Sequence, residues 1–214
     1  MEKLIYNYFE IKSEDTINRI SSLQNLYIKY NQMVNVISRK DIDNLYLHHV
    51  LHSLSISKYI DFPKGAKVLD VGTGGGFPGI PLAILNPDVN FTLCDSINKK
   101  VKIVESIVND LKLNNVQTVW KRAESIEDTF DFVVSRAVTD LNQFLPWVWN
   151  RVKKGKIGQY DRGFIYLKGG NIEEEIDLLK KTFHLKPSQI HIEEISKWYK
   201  EEFFIQKLLI FIER

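Results

Sequence analysis

A single cysteine, Cys94, in 214 residues leaves no partner for an internal disulfide and no set for a zinc centre made of cysteines alone. No apolar run approaches the ~20 residues that span a bilayer. The start, Met1 to Asn7, is interrupted by polar side chains where a secretory leader would be continuously apolar. An excess of one charge is also missing. Twenty-nine Lys and Arg stand against 27 Asp and Glu, a net charge of +2. Only local clustering could then argue for a polyanionic partner. Repeats and low-complexity tracts are absent. These lacks lead to the expectation of a soluble, cytoplasmic, monomeric protein with no metal. The hydrophobic content, 44%, is enough for one sizeable α/β domain with a small extension.

Glycine is concentrated rather than scarce. Five of the 11 glycines lie between Gly72 and Gly79, directly after the apolar stretch Val68 to Val71 and before the apolar run Ile80 to Leu85. That pattern predicts strand, tight turn, helix. Glycines let a backbone approach a ligand where a Cβ would clash, and the helix start points free N–H groups into the same space. Pro78 and Pro81 suit a first helical turn. Gly74-x-Gly76-x-x-Gly79 matches the dinucleotide-binding spacing, a weak signal alone. Asp70, two residues before the first glycine, suits a ligand with a cationic centre better than a pyrophosphate. The pattern Asp70-x-Gly72-x-Gly74-x-Gly76 therefore looks like the first motif of class I methyltransferases, whose donor, S-adenosylmethionine, carries a sulfonium and an ammonium. An NAD-dependent oxidoreductase is disfavoured by Asp70 and by the lack of a second nucleotide-binding half. A non-catalytic RNA-binding module on the same fold is the third reading.

The remaining elements follow from periodicity. Ser13 caps an amphipathic helix carrying Ile17, Ile20, Leu23, Tyr27, Tyr30 and Val34. A second helix is predicted over residues 42–60. Both precede the first strand, so residues 1–62 form a helical cap and residues 63–214 the sheet domain, together one structural unit. Asn90 to Asp95 is the second strand, and a carboxylate at its end, Asp95, can accept both ribose hydroxyls of a nucleoside. A helix carrying Ile97, Val101, Val104, Val108 and Leu111 comes next. Strands over 116–121 and 130–135 bring Ala123-Glu124 and Arg136 to the same edge. The following helix is placed near Gln143, with Pro146 in its first turn. A basic loop, Lys153 to Arg162, leads to the strand Phe164 to Lys168. Asn171 and Glu174 read as a capping box, and late strands over 190–195 and 203–212, joined by a polar link, should pair antiparallel. Gly72, Asp95, Glu124, Arg136 and Lys168 all fall at carboxyl ends of strands, where open α/β sheets bind ligands.

These stretches together resemble the RsmG (GidB) methyltransferase family. The resemblance rests on Asp70 to Pro81, on Phe91 to Ser96 with Lys99-Lys100-Val101, on Ser135-Arg136-Ala137 and on Leu167-Lys168-Gly169. Upstream, Tyr30-Asn31-x-x-x-Asn35-Val36 and His49-x-x-x-Ser53 resemble further family motifs, with Tyr30 where tryptophan is usual, His48 where arginine is common and His52 where an acid is common. The resemblance implies a class I, Rossmann-like fold, mostly parallel with a C-terminal antiparallel hairpin. It implies transfer of a methyl group from S-adenosylmethionine to guanine N7 in 16S rRNA, with 16S rRNA or the small ribosomal subunit as partner. It also implies cofactor contacts at Gly72, Phe77, Ala123, Glu124 and Arg136. Guanine N7 has a lone pair and no proton to lose, so no general base is needed and positioning can carry the reaction. Arg136 and Lys168, poor bases at neutral pH, are the candidate catalytic residues, holding a phosphate or guanine O6. Cys94 packs rather than attacks, and His48 and His52 lack further ligands to complete a metal set. Lys121-Arg122, Lys153-Lys154-Lys156 and Arg162 are candidates for an RNA path around the cofactor edge.

Overall fold

The structure is a computed structural model describing residues 2–136 and 138–214, so Met1 and Ala137 of the Ser-Arg-Ala motif lie outside the described residues. The apolar runs form β1 (Lys67–Val71), β2 (Asn90–Asp95), β3 (Val116–Trp120) and β4 (Phe132–Arg136). A small hairpin of β5 (Lys156–Ile157) and β6 (Tyr160–Asp161) precedes β7 (Gly163–Gly169), and β8 (Ile190–Glu194) and β9 (Lys207–Glu213) end the chain. The seven-stranded sheet has the order β3-β2-β1-β4-β7-β9-β8. β1 pairs parallel with β2 and β4, and β9 is wedged between β7 and β8, antiparallel to both. The central strands are buried on both faces, which is why Val68-Leu69 and Phe132-Val133-Val134 read as unbroken apolar runs.

Helices cover both faces. α1 (Lys3–Tyr6), α2 (Glu14–Asn31) and α3 (His52–Tyr59) belong to the cap; α4 (Gly79–Leu85) follows β1, α5 (Asn98–Asp110) follows β2, α6 (Leu141–Val148) follows β4 and α7 (Glu173–Phe183) follows β7. Ser13 caps α2 through its Oγ, which accepts from the Thr16 amide. One core cluster joins Ile20, Leu23, Tyr27, Leu45 and Leu51 of the cap to Val68, Phe91 and Leu93 of the sheet. The other face holds Phe144, Leu145, Ile176 and Leu179 against Val133, Phe164 and Tyr166. The boundary at residues 62 and 63 thus separates topologies and not cores. Among the described residues no helix is long and apolar enough to cross a membrane.

Five local expectations need correction. The helix expected over 42–60 is a 3-10 turn (Ile42–Asn44), a π-helical stretch (Leu45–Leu51) and then α3. The wider π turn changes the facing of side chains, and consecutive residues His48 and His49 both reach Asp41. α6 starts at Leu141, so Pro146 lies inside it. The earlier start is held by two acceptors: Asp140 Oδ1 takes the Asn142 amide at 2.8 Å and Glu175 Oε1 the Leu141 amide at 2.5 Å. Asn171 accepts from the Glu173 amide, with no reciprocal bond from Glu174. The link between β8 and β9 is not polar: Ile195, Tyr199 and Phe204 are buried in it, and Phe203 and Phe204 lie in a 3-10 turn instead of a strand. The basic stretch Lys153 to Arg162 enters β7 at its amino end. There Arg162 and Lys153 are held 2.7 and 3.6 Å from the buried Asp131 carboxylate. That is the end of the sheet opposite the carboxyl edge, so the stretch does not rim a cofactor there.

Candidate cofactor site

The strand order reverses between β1 and β4, and the crevice beyond the carboxyl ends at such a point is where open α/β sheets take ligands. Ser135 Oγ donates to Val71 O at 2.8 Å and ties the two strand ends together. The glycine turn leaving β1 is anchored on two carboxylates. Asp70 Oδ2 accepts from Thr73 Oγ1 (2.6 Å) and from the Gly79 amide (2.9 Å), and Asp95 Oδ2 accepts from the Gly74 amide (2.9 Å). Beside the turn is a cavity of about 380 Å³, within the usual range for small-molecule sites. Gly72 and Gly74 line it from β1, Asp95, Ser96 and Ile97 from β2, Lys121 to Glu124 from β3 and Arg136 from β4, with Val138 and Trp147 also on its wall.

Of the residues expected at the site, Gly72, Gly74, Asp95, Ala123, Glu124 and Arg136 meet in this cavity, whereas Asp70, Gly76, Phe77 and Lys168 do not line it. Asp70 is fully buried and turned into the glycine loop, with Oδ1 left without a partner among the described residues. Gly76 and Gly79 serve packing inside the protein. A Cβ on Gly76 would lie 2.4 Å from Ile80 Cδ1, and one on Gly79 2.7 Å from Leu93 Cγ. Gly74 differs: its φ is +58° and among the described residues a Cβ there would meet nothing nearer than Gly72 O at 3.9 Å. Lys168 is ion-paired with Glu175, the carboxylate that also caps α6.

The cap grips the turn from behind. Tyr27 donates to Gly75 O at 2.6 Å and stacks on Phe77 with ring centroids 5.0 Å apart. Phe77 also meets the His49 ring at 5.0 Å and the Arg136 guanidinium at 5.2 Å. Arg136 donates through Nη1 to His48 O (3.0 Å) and through Nη2 to His49 Nδ1 (2.9 Å), and His49 Nε2 lies 2.6 Å from Asp41 Oδ2. Arginine has no acceptor, so His49 Nδ1 must be bare and Nε2 must carry the proton given to Asp41. Burial, with the Arg136 charge, pushes His49 down to about 4, and burial lowers Arg136 to about 10. At neutral pH the pair is therefore a neutral imidazole on a charged guanidinium.

Burial also raises Asp70, to about 7. Asp70 and His49 act on stability with opposite signs. Folded Asp70 keeps a proton that the unfolded chain loses near pH 4, so its contribution falls as pH rises from about 4 to 7. Folded His49 lacks a proton that the unfolded chain holds up to about pH 6.5, so its contribution grows as pH rises from about 4 to 6.5. Asp70→Asn should therefore gain stability relative to wild type as pH increases across 4–7, by at most ~1.4 kcal/mol per unit. His49→Gln should lose it over 4–6.5. Urea denaturation of both variants and wild type through this range checks the signs.

Comparison with known proteins accords with this geometry. The sequence model of the GidB family, described as rRNA small subunit methyltransferase G, matches residues 16–201. The chain belongs to this family. It is 44% identical over 207 residues to the ribosomal RNA small subunit methyltransferase G of Flavobacterium johnsoniae, covering 96% of this chain and 95% of that one. It is also 44% identical over 209 residues to the protein of the same description from Bacteroides thetaiotaomicron, covering 98% of each. Among solved structures, a SAM-dependent methyltransferase from Aquifex aeolicus superposes with a TM-score of 0.56 at 18% identity, over 82% of this chain and 98% of that one. The fold is thus that of class I methyltransferases. In this GidB-family chain the upstream motif residues have structural duties. Asn31 holds the loop after α2 through the Val36 and Ile37 amides and Ile37 O. Ser53 Oγ donates to His49 O. Val138, Trp147, Asp41 and the Arg136–His49 contact were not found from sequence. His49-x-x-x-Ser53 was the one signal near them, and its spacing does not say which strand end it meets.

Proposed function

We propose that the chain transfers a methyl group from S-adenosylmethionine to N7 of a guanine in 16S rRNA, acting on that RNA or on the small ribosomal subunit. The observation that carries this reading is the meeting of the glycine turn, Asp95 and Arg136 in one cavity at the β1–β4 switch. The residues fit the cofactor: among the described residues the space over Gly74 is open, where a Cβ would intrude on a bound group. Asp95 spends Oδ2 on the Gly74 amide and Oδ1 on the Ile97 amide, which leaves one lone pair on each oxygen for ribose hydroxyls. Ala123, Glu124 and Ile97 are all on the cavity wall and would flank an adenine. When bound, the sulfonium supplies an activated methyl and a neutral leaving group. The chain then has to hold N7 in line and exclude water, and needs no base. Arg136, charged and fixed by the cap through one N–H on each of Nη1 and Nη2, has its remaining N–H donors to offer to guanine O6 or a phosphate. We place Lys168 in a supporting role, since its ammonium is held by Glu175. The protein is read as a cytoplasmic monomer.

Cleavage of 16S rRNA by borohydride and aniline, which breaks the chain at N7-methylguanine, tests the reading. RNA from cells with the gene should break at one guanine, and RNA from cells lacking it should stay intact there and regain the break after treatment with purified protein and S-adenosylmethionine. An unchanged cleavage pattern, or methyl on another atom, would overturn it.

A further inference from the structure

The mouth of the cavity on the β2–β3 side carries two features that the methyl-transfer site does not use. Trp120, the last residue of β3, is 59% exposed, the indole of a residue type that normally sits well inside. It is nevertheless fixed: Nε1 donates to Ser96 O at 3.0 Å, and Ser96 lines the cavity. Ile97, 40% exposed, is next to it in sequence on the same rim. The second feature is charge. Lys100, Lys121 and Arg122 line this rim, and none of their side chains makes an ion pair or hydrogen bond among the described residues. Lys29, Lys153, Arg162 and Lys168 elsewhere all rest on carboxylates. Asp95 and Glu124 are the acids on the cavity wall.

A flat, pinned, solvent-facing aromatic ring among unpaired cations is the arrangement that holds a single strand of nucleic acid. The ring stacks on a base face whatever the base, and the cations take the phosphates. An apolar protein partner would leave three ammonium and guanidinium groups uncompensated in its interface, at a desolvation cost. We propose that Trp120 is a stacking platform for an unpaired base of the substrate RNA flanking the methylated one, with Lys100, Lys121 and Arg122 holding the adjoining phosphates. The proposal rests on the rRNA reading above and extends it by naming the face along which the strand lies. Because Trp120 is outside the cavity, its truncation should act on RNA and not on the cofactor.

The test uses the full chain and purified small ribosomal subunits from cells lacking the gene. Trp120→Ala should raise KM for the subunit roughly tenfold, as expected for loss of one base stack, with kcat and the Kd for S-adenosylmethionine within twofold of wild type. Trp120→Phe, which keeps a ring but loses the bond to Ser96 O, should lose clearly less than Trp120→Ala. Ultraviolet cross-linking of the unmutated protein to the subunit, read by mass spectrometry, should join RNA to the peptide containing Trp120 and needs no variant to fold. An unchanged KM in Trp120→Ala, or cross-links from this peptide only to ribosomal protein or not at all, would overturn the platform. A wild-type chain that cross-links at Trp120 but methylates no rRNA would instead overturn the activity and leave the platform standing.

Discussion

Replacing Arg136 by alanine should lower methyl transfer to the small-subunit RNA by about a hundredfold or more, the effect of removing one preorganised charged donor from a reaction centre. The structure makes this residue hard to substitute. Arg136 lines the cavity, and its guanidinium is held by His48 O and His49 Nδ1, with Phe77 against its face. Two directed donors on a planar fork are needed to meet both acceptors of the cap. Lysine has one ammonium on a flexible stem, so Arg136→Lys should recover only part of the rate. The loss should fall on the rate with bound RNA more than on cofactor affinity, because Asp95 and the Ala123–Glu124 wall remain. Single-turnover methylation with titrated S-adenosylmethionine separates the two. Circular dichroism would check that the variant is folded. Wild-type rates in a folded Arg136→Ala protein would mean that the cavity faces the target through other groups.

The arrangement around Arg136 also marks the limit of what the sequence reveals. Strand ends are legible because β1, β2 and β4 are short apolar runs stopped by glycine or charge, and the switch-point rule then gathers Gly72, Asp95, Glu124 and Arg136 at one edge. Orientation is less legible. Asp70 belongs to the same motif, yet its carboxylate is turned inward to hold Thr73 and Gly79. Lys168 ends a neighbouring strand, yet Glu175 of α7 takes it. Both outcomes depend on partners nine or fewer residues away whose choice is made by packing. The cap is harder still. Its π-helical stretch has no simple period, so the contacts of His48 and His49 with Asp41 and Arg136 could not be placed from spacing. Pro146 was misplaced for a related reason: a helix start is set by its acceptors, here Asp140 and Glu175, and the second of these comes from a different helix.

Gly76→Ala should be strongly damaging to the glycine turn, and a matched glycine isolates the cause. Gly76 and Gly170 have nearly the same φ, +95° and +90°, so alanine at either meets a similar backbone strain of roughly 1–2 kcal/mol. Their surroundings differ. A Cβ on Gly170 has nothing within 4 Å, while one on Gly76 lies 2.4 Å from Ile80 Cδ1, 2.9 Å from Ile80 Cγ1 and 3.2 Å from the Tyr27 hydroxyl. Ile80 is fully buried and Tyr27 is committed to Gly75 O, so neither has free space to move into. Overpacking of this kind adds about 1–3 kcal/mol. At about 2–4 °C per kcal/mol for a chain of this size, Gly76→Ala should melt several degrees below Gly170→Ala. The two should also part in function. Displacing Ile80 or Tyr27 shifts Gly75 and, through the turn, Gly74 and its bond to Asp95, so cofactor affinity should fall with stability in Gly76→Ala and stay at the wild-type value in Gly170→Ala. Equal melting temperatures in the two variants would mean that the turn is held by backbone conformation alone, and that the grip of the cap on its far side has no part in shaping the cavity.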